Sequence, residues 1–470
     1  MSRAALAWRV YGIVALALAL FGVGHWIWAV TLAGPVMYGE GAVAHAALLA
    51  RYGFEYTLGG SLGDVGAPRP IFTAANYPPL YFDLASLGDP FVTGRIVSIV
   101  ATLFVGAAIA WRARPAGALV ALTLALAWLG SVPILQWGAA VKPDLVALAL
   151  TVAAVTVLDR RRPMYMTGGA LLALAMLAKP TALLPALALF TLLLRRDRRG
   201  AARGLASAVA VGGAALLVMV GPPSANFRTH VLDLNGLAYR LDLLAPLVLF
   251  ALIVLAVPIA TVLVTRPSTT VVTAYVAGAI GILLLGGREG ATINYFLDLS
   301  AAIALAVAGR APRLATSVAY PVAAIVGAAV AVFLVNPFAI VPGRGAGPGA
   351  WGDPARVGAV ARIPGTLLVE DAGLLVANGR EPAVDDVFLW SRNRAREVTG
   401  TFPFPEGARL LDAVSSGAFD AVVTEVDLTQ LDAVGGYERQ RWHPDLVKAV
   451  LDRYPSMSRD AAGLFVYRKP

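Results

Sequence analysis

Long apolar segments recur along the first 335 residues, and they restrict the possible folds more than any other feature of the sequence. A helix needs roughly 20 mostly apolar residues to cross the hydrocarbon core of a membrane. About eleven segments are candidates: 10–33, 92–111, 115–134, 143–158, 164–178, 181–194, 204–221, 243–265, 269–286, 293–309 and 315–335. Only 14% of the residues are charged, against about 25% in soluble proteins. We therefore expect an α-helical polytopic membrane protein.

Basic residues are concentrated in alternate loops between these segments. If the N-terminus is cytoplasmic, the inner loops carry 15 arginines and two acids, whereas the outer loops before residue 336 carry eight basic residues and ten acids. Cytoplasmic loops are enriched in Lys and Arg. The asymmetry predicts a multi-pass protein of the cytoplasmic membrane, with its N-terminus inside and its C-terminal segment outside. The net charge of +9 is thus an orientation signal, and no nucleic-acid partner is expected.

Two hydrophilic regions interrupt or follow the apolar segments. One is the first loop, residues 34–91, and the other is 341–470, which begins with a Gly- and Pro-rich linker at 342–349. Short strand-like and helical runs alternate in the second region, which is typical of an α/β unit. We therefore expect a membrane module at 1–340 and a small extracytoplasmic α/β domain at 341–470. The strand-like runs are 366–370, 419–425 and 463–468, and the helical runs are 406–416 and 444–453.

Cysteine is absent and the four histidines are scattered, which excludes thiolate chemistry and gives no metal-ligand spacing. No Asp-x-Asp motif occurs. We predict that the protein needs no cofactor and no metal, although a Mg²⁺ site made from one acid and water molecules stays an open alternative.

Glu40 lies between two glycines just after the first apolar segment. A carboxylate at an apolar boundary can have its pKa raised and can serve as a general base. The alternative is a structural charge at the start of a helix, where acids are favourable.

Three cations, Lys142, Lys179 and Arg288, stand at the predicted outer ends of apolar segments, against the positive-inside trend. Cations in this position would suit a phosphate, and Arg presents a rigid fork of donors. The alternative for each lysine is snorkelling towards the interface. For Arg288 the alternative is a structural ion pair with Asp298. Asp298 and Asn294 are four residues apart and so share one helix face.

An aromatic segment, Asn76-Tyr77-Pro78-Pro79-Leu80-Tyr81, ends the first loop. Aromatic side chains are common at membrane interfaces in general, and stacking on a sugar is the functional alternative.

Five motifs in a fixed order carry a resemblance to a known family. They are Tyr38-Gly39-Glu40-Gly41, Asn76-Tyr77-Pro78-Pro79-Leu80-Tyr81, Lys142-Pro143-Asp144-Leu145, Ala178-Lys179-Pro180-Thr181 and Gly290-Ala291-Thr292-Ile293-Asn294-Tyr295-Phe296-Leu297-Asp298. Together they resemble the bacterial GT-C glycosyltransferases, which include mannosyltransferase-like and aminoarabinose-transferase-like enzymes, over roughly residues 10–310. Many relatives have an Asp-Glu pair in the first loop, and Gly39 stands where that Asp would be.

The resemblance implies a GT-C fold and an inverting transfer of sugar from a polyprenyl-phosphate donor. The acceptor would be a glycan, a lipid or a protein on the outer face of the membrane. Glu40 would be the general base, and Lys142, Lys179 and Arg288 would bind the donor phosphate. The expected substrate-binding residues are Asn76, Tyr77, Tyr81, Asp144, Asn294, Tyr295 and Asp298.

A transporter or flippase for a lipid-linked sugar, without covalent transfer, is the main alternative, because interrupted helices and buried charges also occur in transporters. A non-catalytic scaffold is a third possibility. The charges lie at one face, no inverted repeat is visible and the first loop is long. These features favour the enzyme.

Overall fold

The computed structural model describes residues 2–53, 56, 70–221, 225–265, 270–335, 354–434 and 436–470. Its first part is helical. The helices are α1 (Arg3–Val30), α2 (Glu40–Ala50), α3 (Pro79–Ala85), α4 (Pro90–Ala113), α5 (Ala118–Leu129), α6 (Val132–Trp137), α7 (Asp144–Leu158), α8 (Tyr165–Ala178), α9 (Leu183–Arg196), α10 (Arg198–Met219), α11 (Ala225–Arg228), α12 (Leu241–Val264), α13 (Val271–Leu284), α14 (Leu297–Ala308), α15 (Ala311–Leu314) and α16 (Ala319–Val335).

Short polar residues and prolines set where several of these helices begin. The Asp89 side chain accepts hydrogen bonds from the backbone N–H groups of Phe91 and Val92, and Pro90 occupies the first turn of α4. Asp197 caps α10 in the same way, and Thr270 forms a capping box with Thr273 at the start of α13. Such caps satisfy backbone N–H groups that have no partner within the helix.

Four of the described helices are long and apolar enough to cross a membrane: α1, α4 with its continuation to residue 116, α10 and α12. Seven further apolar helical segments among the described residues are shorter. The predicted segment 115–134 is divided into α5 and α6 at Gly130-Ser131, and 164–178 and 181–194 form the separate helices α8 and α9. Several apolar segments are thus confirmed as helices, while the number of crossings stays a prediction.

Large apolar side chains on these helices face outward. Ile13, Leu20 and Ile27 on α1 are 60–68% exposed, and Leu263 and Val264 on α12 are 68% and 82% exposed. An exposed apolar surface of this kind marks contact with a membrane or a partner. Since it covers successive turns of long apolar helices, a membrane is the environment that suits it.

The second part of the chain, residues 354–470, forms a unit that we call the C-terminal unit. Its four-stranded sheet has the order β1-β2-β4-β3, with β1 parallel to β2 and the other two pairs antiparallel. The strands β1, β2 and β4 lie within the three predicted segments, whereas β3 was not predicted. The strands are β1 (Leu367–Val369), β2 (Ala421–Thr424), β3 (Ser456–Arg459) and β4 (Phe465–Arg468), and the helices are Pro354–Ala361, Gly373–Val376, Val387–Val398, Pro405–Ser415, Gly436–Gln440 and Pro444–Arg453.

The C-terminal unit packs against the first loop and the segment before α12. Phe72 forms a parallel bridge with Val384, and Phe72 and Leu234 belong to the same buried cluster as Trp390. Asn393 donates a hydrogen bond to the Leu234 carbonyl, 3.2 Å away. The core of the unit therefore includes residues from the predicted membrane module. The predicted boundary at 340/341 and the linker 342–349 lie outside the described residues.

Candidate active site

A polar cavity of about 230 Å³ lies where the first loop, several helix ends and the C-terminal unit meet. Seven of the candidate residues predicted from the sequence line it: Asn76, Tyr77, Lys142, Lys179, Arg288, Asn294 and Tyr295. They come from four separate stretches of the chain, so the fold brings them together.

Lys142 precedes α7, and the contact of its side chain with the first loop depends on Gly39. The ammonium donates a hydrogen bond to the Gly39 carbonyl oxygen at 2.7 Å. Burial lowers the pKa of Lys142, and the negative charges of Asp386, Asp144 and Glu40 oppose that effect. Within the described chain Lys142 has no carboxylate at ion-pair distance, so its charge is available to an anion in the cavity.

Lys179 is held in a pair with Asp144. Proline at position 180 favours extended backbone at the residue before it, and Lys179 is extended and ends α8. Its Nζ lies 2.5 Å from Asp144 Oδ1 and 4.7 Å from the centre of the Tyr295 ring. Asn294 donates to the same Asp144 oxygen at 2.8 Å. Asp144 thus supports two cavity residues from behind and does not itself line the cavity.

Arg288 follows Gly286-Gly287 and is exposed at the cavity. Its backbone forms an antiparallel bridge with Tyr239, and the ring of Tyr239 lies where a Cβ at Gly287 would stand. No ion pair joins Arg288 to another side chain in the described ranges, so the alternative of a pair with Asp298 is wrong. Asp298 accepts a hydrogen bond from the Tyr275 hydroxyl at 3.0 Å and does not line the cavity.

Tyr81 and Glu40 are fully buried. The Tyr81 hydroxyl donates to the Gly94 carbonyl at 2.9 Å, so this side chain is placed to hold α3 against α4 and not to stack on a sugar.

Glu40 begins α2, and each of its carboxylate oxygens accepts hydrogen bonds. Oε2 accepts from Val36 N–H at 2.8 Å and from Arg95 Nη2 at 2.9 Å, and Oε1 accepts from Val141 N–H at 2.8 Å. Arg95 is itself fully buried. This geometry corrects the expectation from the sequence: Glu40 lies behind the cavity wall in an ion pair, where a substrate hydroxyl does not reach it.

Five polar residues of the cavity were not predicted: Tyr38, Thr181, Asn235, Glu289 and Asp386. Asn235 donates to the Asn76 carbonyl at 2.8 Å and so fixes the end of the first loop. Glu289 Oε1 lies between Arg240 Nη1 and Arg392 Nη1, at 3.7 and 3.6 Å. Tyr38 belonged to a motif quoted for the resemblance, but Asp386 lies on the C-terminal unit, and no spacing in the sequence connects it to the others.

Asp386 faces the cavity from the start of the helix Val387–Val398. Burial raises the pKa of Asp386 to about 6; the neighbouring charge of Asp385 also raises it, while Leu389 N–H, Lys142 and Tyr38 lower it. Among the described residues no cluster of three or more histidine or carboxylate side chains is arranged to hold a metal ion. Metal-independent transfer stays a prediction.

Comparison with solved structures gives the fold its context. The crystal structure of ArnT from Cupriavidus metallidurans bound to undecaprenyl phosphate aligns over 97% of each chain, with 14% identity and a TM-score of 0.57. The oligosaccharyltransferase of Archaeoglobus fulgidus in its apo form aligns over 98% of this chain and 74% of its own, with 12% identity and a TM-score of 0.53. The chain shares the fold of these GT-C glycosyltransferases.

The predicted resemblance to GT-C enzymes is thereby confirmed at the level of the fold. No protein-family model matches the sequence, and no curated protein matches it significantly. A solved complex of the archaeal enzyme AglB contains an inhibitory peptide and a dolichol-phosphate, and it aligns over 98% of this chain with 11% identity and a TM-score of 0.50.

Proposed function

We propose that the chain transfers a sugar from a polyprenyl-phosphate donor to an acceptor at the outer face of the cytoplasmic membrane, with inversion at the sugar carbon. The observation that carries the proposal is a pair of cations, Lys142 and Arg288, which face one cavity and have no ion-pair partner in the described chain. The fold is also that of an enzyme solved with undecaprenyl phosphate.

The donor in this proposal is amphiphilic, and the cavities of the protein suit both of its ends. An apolar cavity of about 130 Å³ lies among α1, α5, α12, α14 and α16. The short helical turn Ile293–Phe296 contributes Asn294 and Tyr295 to the polar cavity and Phe296 to the apolar one. A phosphate in the polar cavity and a prenyl chain in the apolar cavity would therefore lie on either side of this turn.

The cations would act on the leaving group. When the bond between the sugar carbon and the phosphate oxygen breaks, negative charge grows on that oxygen. Preorganised cations in a cavity with little water stabilise such charge, and removal of one donor typically lowers kcat by about 10²- to 10³-fold. Lys179 is paired with Asp144, so its role would be to position Asn294 and Tyr295.

The test is an assay of purified protein in lipid vesicles with a set of polyprenyl-phosphate sugars. We expect Lys142→Gln and Arg288→Gln to lower transfer by about 100-fold and to weaken binding of undecaprenyl phosphate by about 10-fold, equivalent to about 1.4 kcal/mol. Arg439→Gln is the matched control, because Arg439 pairs with Asp432 at 2.8 Å and lies outside the cavity lining.

Two results would overturn the proposal. One is movement of the lipid-linked sugar across the vesicle membrane with no covalent product, which is the behaviour of a flippase. The other is unchanged transfer in both cavity variants.

A further inference from the structure

The C-terminal unit contributes one carboxylate to the cavity that has no ion-pair partner within the described chain. Asp386 is partly buried, lines the cavity and follows the buried Asp385. It belongs to a loop that the first loop holds in place, because Ile71 N–H donates to the Ala383 carbonyl at 2.8 Å. Asp386 is thus fixed beside the first loop, 315 positions after Ile71 in the sequence.

The two oxygens of Asp386 have different surroundings. Oδ1 accepts hydrogen bonds from Leu389 N–H at 2.9 Å and from the Tyr38 hydroxyl at 3.2 Å. Tyr38 is itself fixed, because its hydroxyl also accepts from Phe388 N–H at 2.9 Å and its ring packs under the Arg441 guanidinium. Oδ2 has no hydrogen-bond partner in the part of the chain that the structure describes. One oxygen therefore orients the carboxylate and the other is open to a ligand.

We propose that Asp386 is the catalytic base that takes the proton from the acceptor hydroxyl, so that the C-terminal unit supplies part of the active site. The inference rests on the proposed function. In the step, the acceptor oxygen attacks the anomeric carbon and forms the new C–O bond, while the bond from that carbon to the phosphate oxygen breaks. The electron pair leaves with polyprenyl phosphate, and the hydroxyl proton passes to Asp386 Oδ2 and then to water.

Three other acids near the cavity are already engaged, and a fourth, the buried Asp371, accepts a hydrogen bond from Gly373 N–H at 2.9 Å and does not line the cavity. Glu40 is buried against Arg95, Asp144 is paired with Lys179, and Glu289 lies between two arginines. A carboxylate that a fixed cation already binds is a poorer proton acceptor, because the cation stabilises its charged form. Asp386 differs from all three in this respect.

The acid–base behaviour of Asp386 supports the same role. Its pKa of about 6 makes it a stronger base than an ordinary aspartate and leaves it ionised near neutral pH. Asp385, Lys142 and Tyr38 act on its pKa, and the charged groups Lys179, Arg288 and Glu289 line the same cavity. Transfer by the wild-type protein should therefore fall as the pH drops through about 6, since protonated Asp386 accepts no proton.

The decisive variant is Asp386→Asn, because the amide oxygen can still accept from Leu389 N–H and from Tyr38. We expect kcat to fall by about 10²- to 10⁴-fold and the dissociation constant for undecaprenyl phosphate to stay within about twofold. The acid limb of the pH profile should disappear from the residual activity. Tyr38→Phe removes a hydrogen bond that lowers the pKa of Asp386, so the acid limb of this variant's pH profile should move to higher pH.

Asp427→Asn is a closely matched control. Asp427 also precedes a helical turn, and its Oδ1 accepts from Thr429 N–H at 2.9 Å and from the Tyr467 hydroxyl at 3.0 Å. It lies on the same unit but does not line the cavity. We expect this variant to transfer sugar at the wild-type rate.

The outcomes separate the inference from the function on which it rests. If wild-type protein forms no product, the proposed function fails. If Glu40→Gln abolishes transfer while Asp386→Asn retains transfer and the acid limb of its pH profile, the proposed function holds and the inference is overturned. Equal loss of transfer and of undecaprenyl phosphate binding in Asp386→Asn also overturns it, because the residue would then be structural.

Discussion

At the scale of single residues, Gly39 controls the position of Lys142. Its φ of +80° belongs to the left-handed region, and a Cβ there would lie 2.7 Å from Lys142 Nζ. Glycine avoids both the strain and the collision. The first loop therefore holds the Lys142 ammonium through the backbone carbonyl of Gly39. Gly39 stands at the position where many relatives of the expected family have an Asp.

We predict that Gly39→Ala weakens binding of undecaprenyl phosphate. The loss of affinity should be larger than the loss of folding stability alone would cause. The left-handed backbone costs a non-glycine residue about 1–2 kcal/mol, and the new methyl group also displaces Lys142. Gly53→Ala is the control, because Gly53 has a φ of +70° but nothing within 4 Å of its Cβ position. Melting temperatures and binding isotherms of both variants check the prediction, and equal affinities would contradict it.

The sequence indicated the cations of the site but not the role of Glu40. Lys142 and Lys179 stand out because each is a cation before a proline at the predicted outer end of an apolar segment. Whether Glu40 is a base or a structural charge depends on Arg95, which lies 55 residues further along. No local pattern reports a contact at that separation, so both readings were open until the fold was known.

At the scale of elements, α2 is joined to the C-terminal unit by a buried histidine. His45 Nδ1 lies 3.1 Å from Asp385 Oδ2, which also accepts from Ala74 N–H at 3.1 Å, and His45 Nε2 lies 3.9 Å from Glu381. Burial acts to lower the pKa of His45, but the hydrogen bonds and charges of Asp385 and Glu381 raise it above 6.5. Asp385, the residue before the proposed base, is thus positioned by His45.

We predict that this contact stabilises the fold below pH 6.5, the unperturbed value for histidine. Because the folded pKa is the higher one, the stabilisation is lost as the pH rises through it. His45→Gln should therefore lower the melting temperature most at acidic pH and least at alkaline pH, which thermal unfolding across that range measures. The cost should reach about 1–3 kcal/mol, the usual penalty for a buried acceptor that loses its partner.

His443→Gln gives the opposite trend and serves as the control. Burial lowers the pKa of His443, and its neutral Nδ1 accepts from Asp445 N–H at 3.2 Å. The variant should lose most stability at neutral and alkaline pH. A His45→Gln effect that is constant with pH would show that the histidine is neutral in the folded protein.

Some strands and helix ends were easier to predict from the sequence than others. The strands β1, β2 and β4 were visible because each is a short apolar run, and β2 is fully buried. The strand β3, Ser456–Arg459, is exposed along its whole length, so it carries no hydrophobic pattern and is defined only by its pairing with β4. The division of 115–134 at Gly130 follows from a close approach, since a Cβ there would meet the α1 backbone at Ala19.

At the scale of the whole molecule, the fold places the proposed site between a membrane part and a polar unit. The apolar segments and arginine-rich loops were sufficient to predict a polytopic helical protein, because a membrane imposes strict limits on composition and length. How the C-terminal unit docks was not predictable, since Phe72, Leu234 and Trp390 share a core only after folding. The cavity and the identity of Asp386 as one of its residues depend on that docking.

The absence of native cysteine makes the orientation directly testable, because a single introduced cysteine is the only thiol. Ser416→Cys places a thiol on the exposed C-terminal cap of helix Pro405–Ser415, and Arg161→Cys places one in the exposed loop between α7 and α8. The charge asymmetry predicts that a membrane-impermeant maleimide labels Ser416→Cys in intact spheroplasts and labels Arg161→Cys only after lysis. The reverse pattern would put the cavity on the cytoplasmic side, where the proposed transfer at the outer face could not occur. Labelling of both in intact spheroplasts would show an even number of crossings between the two positions.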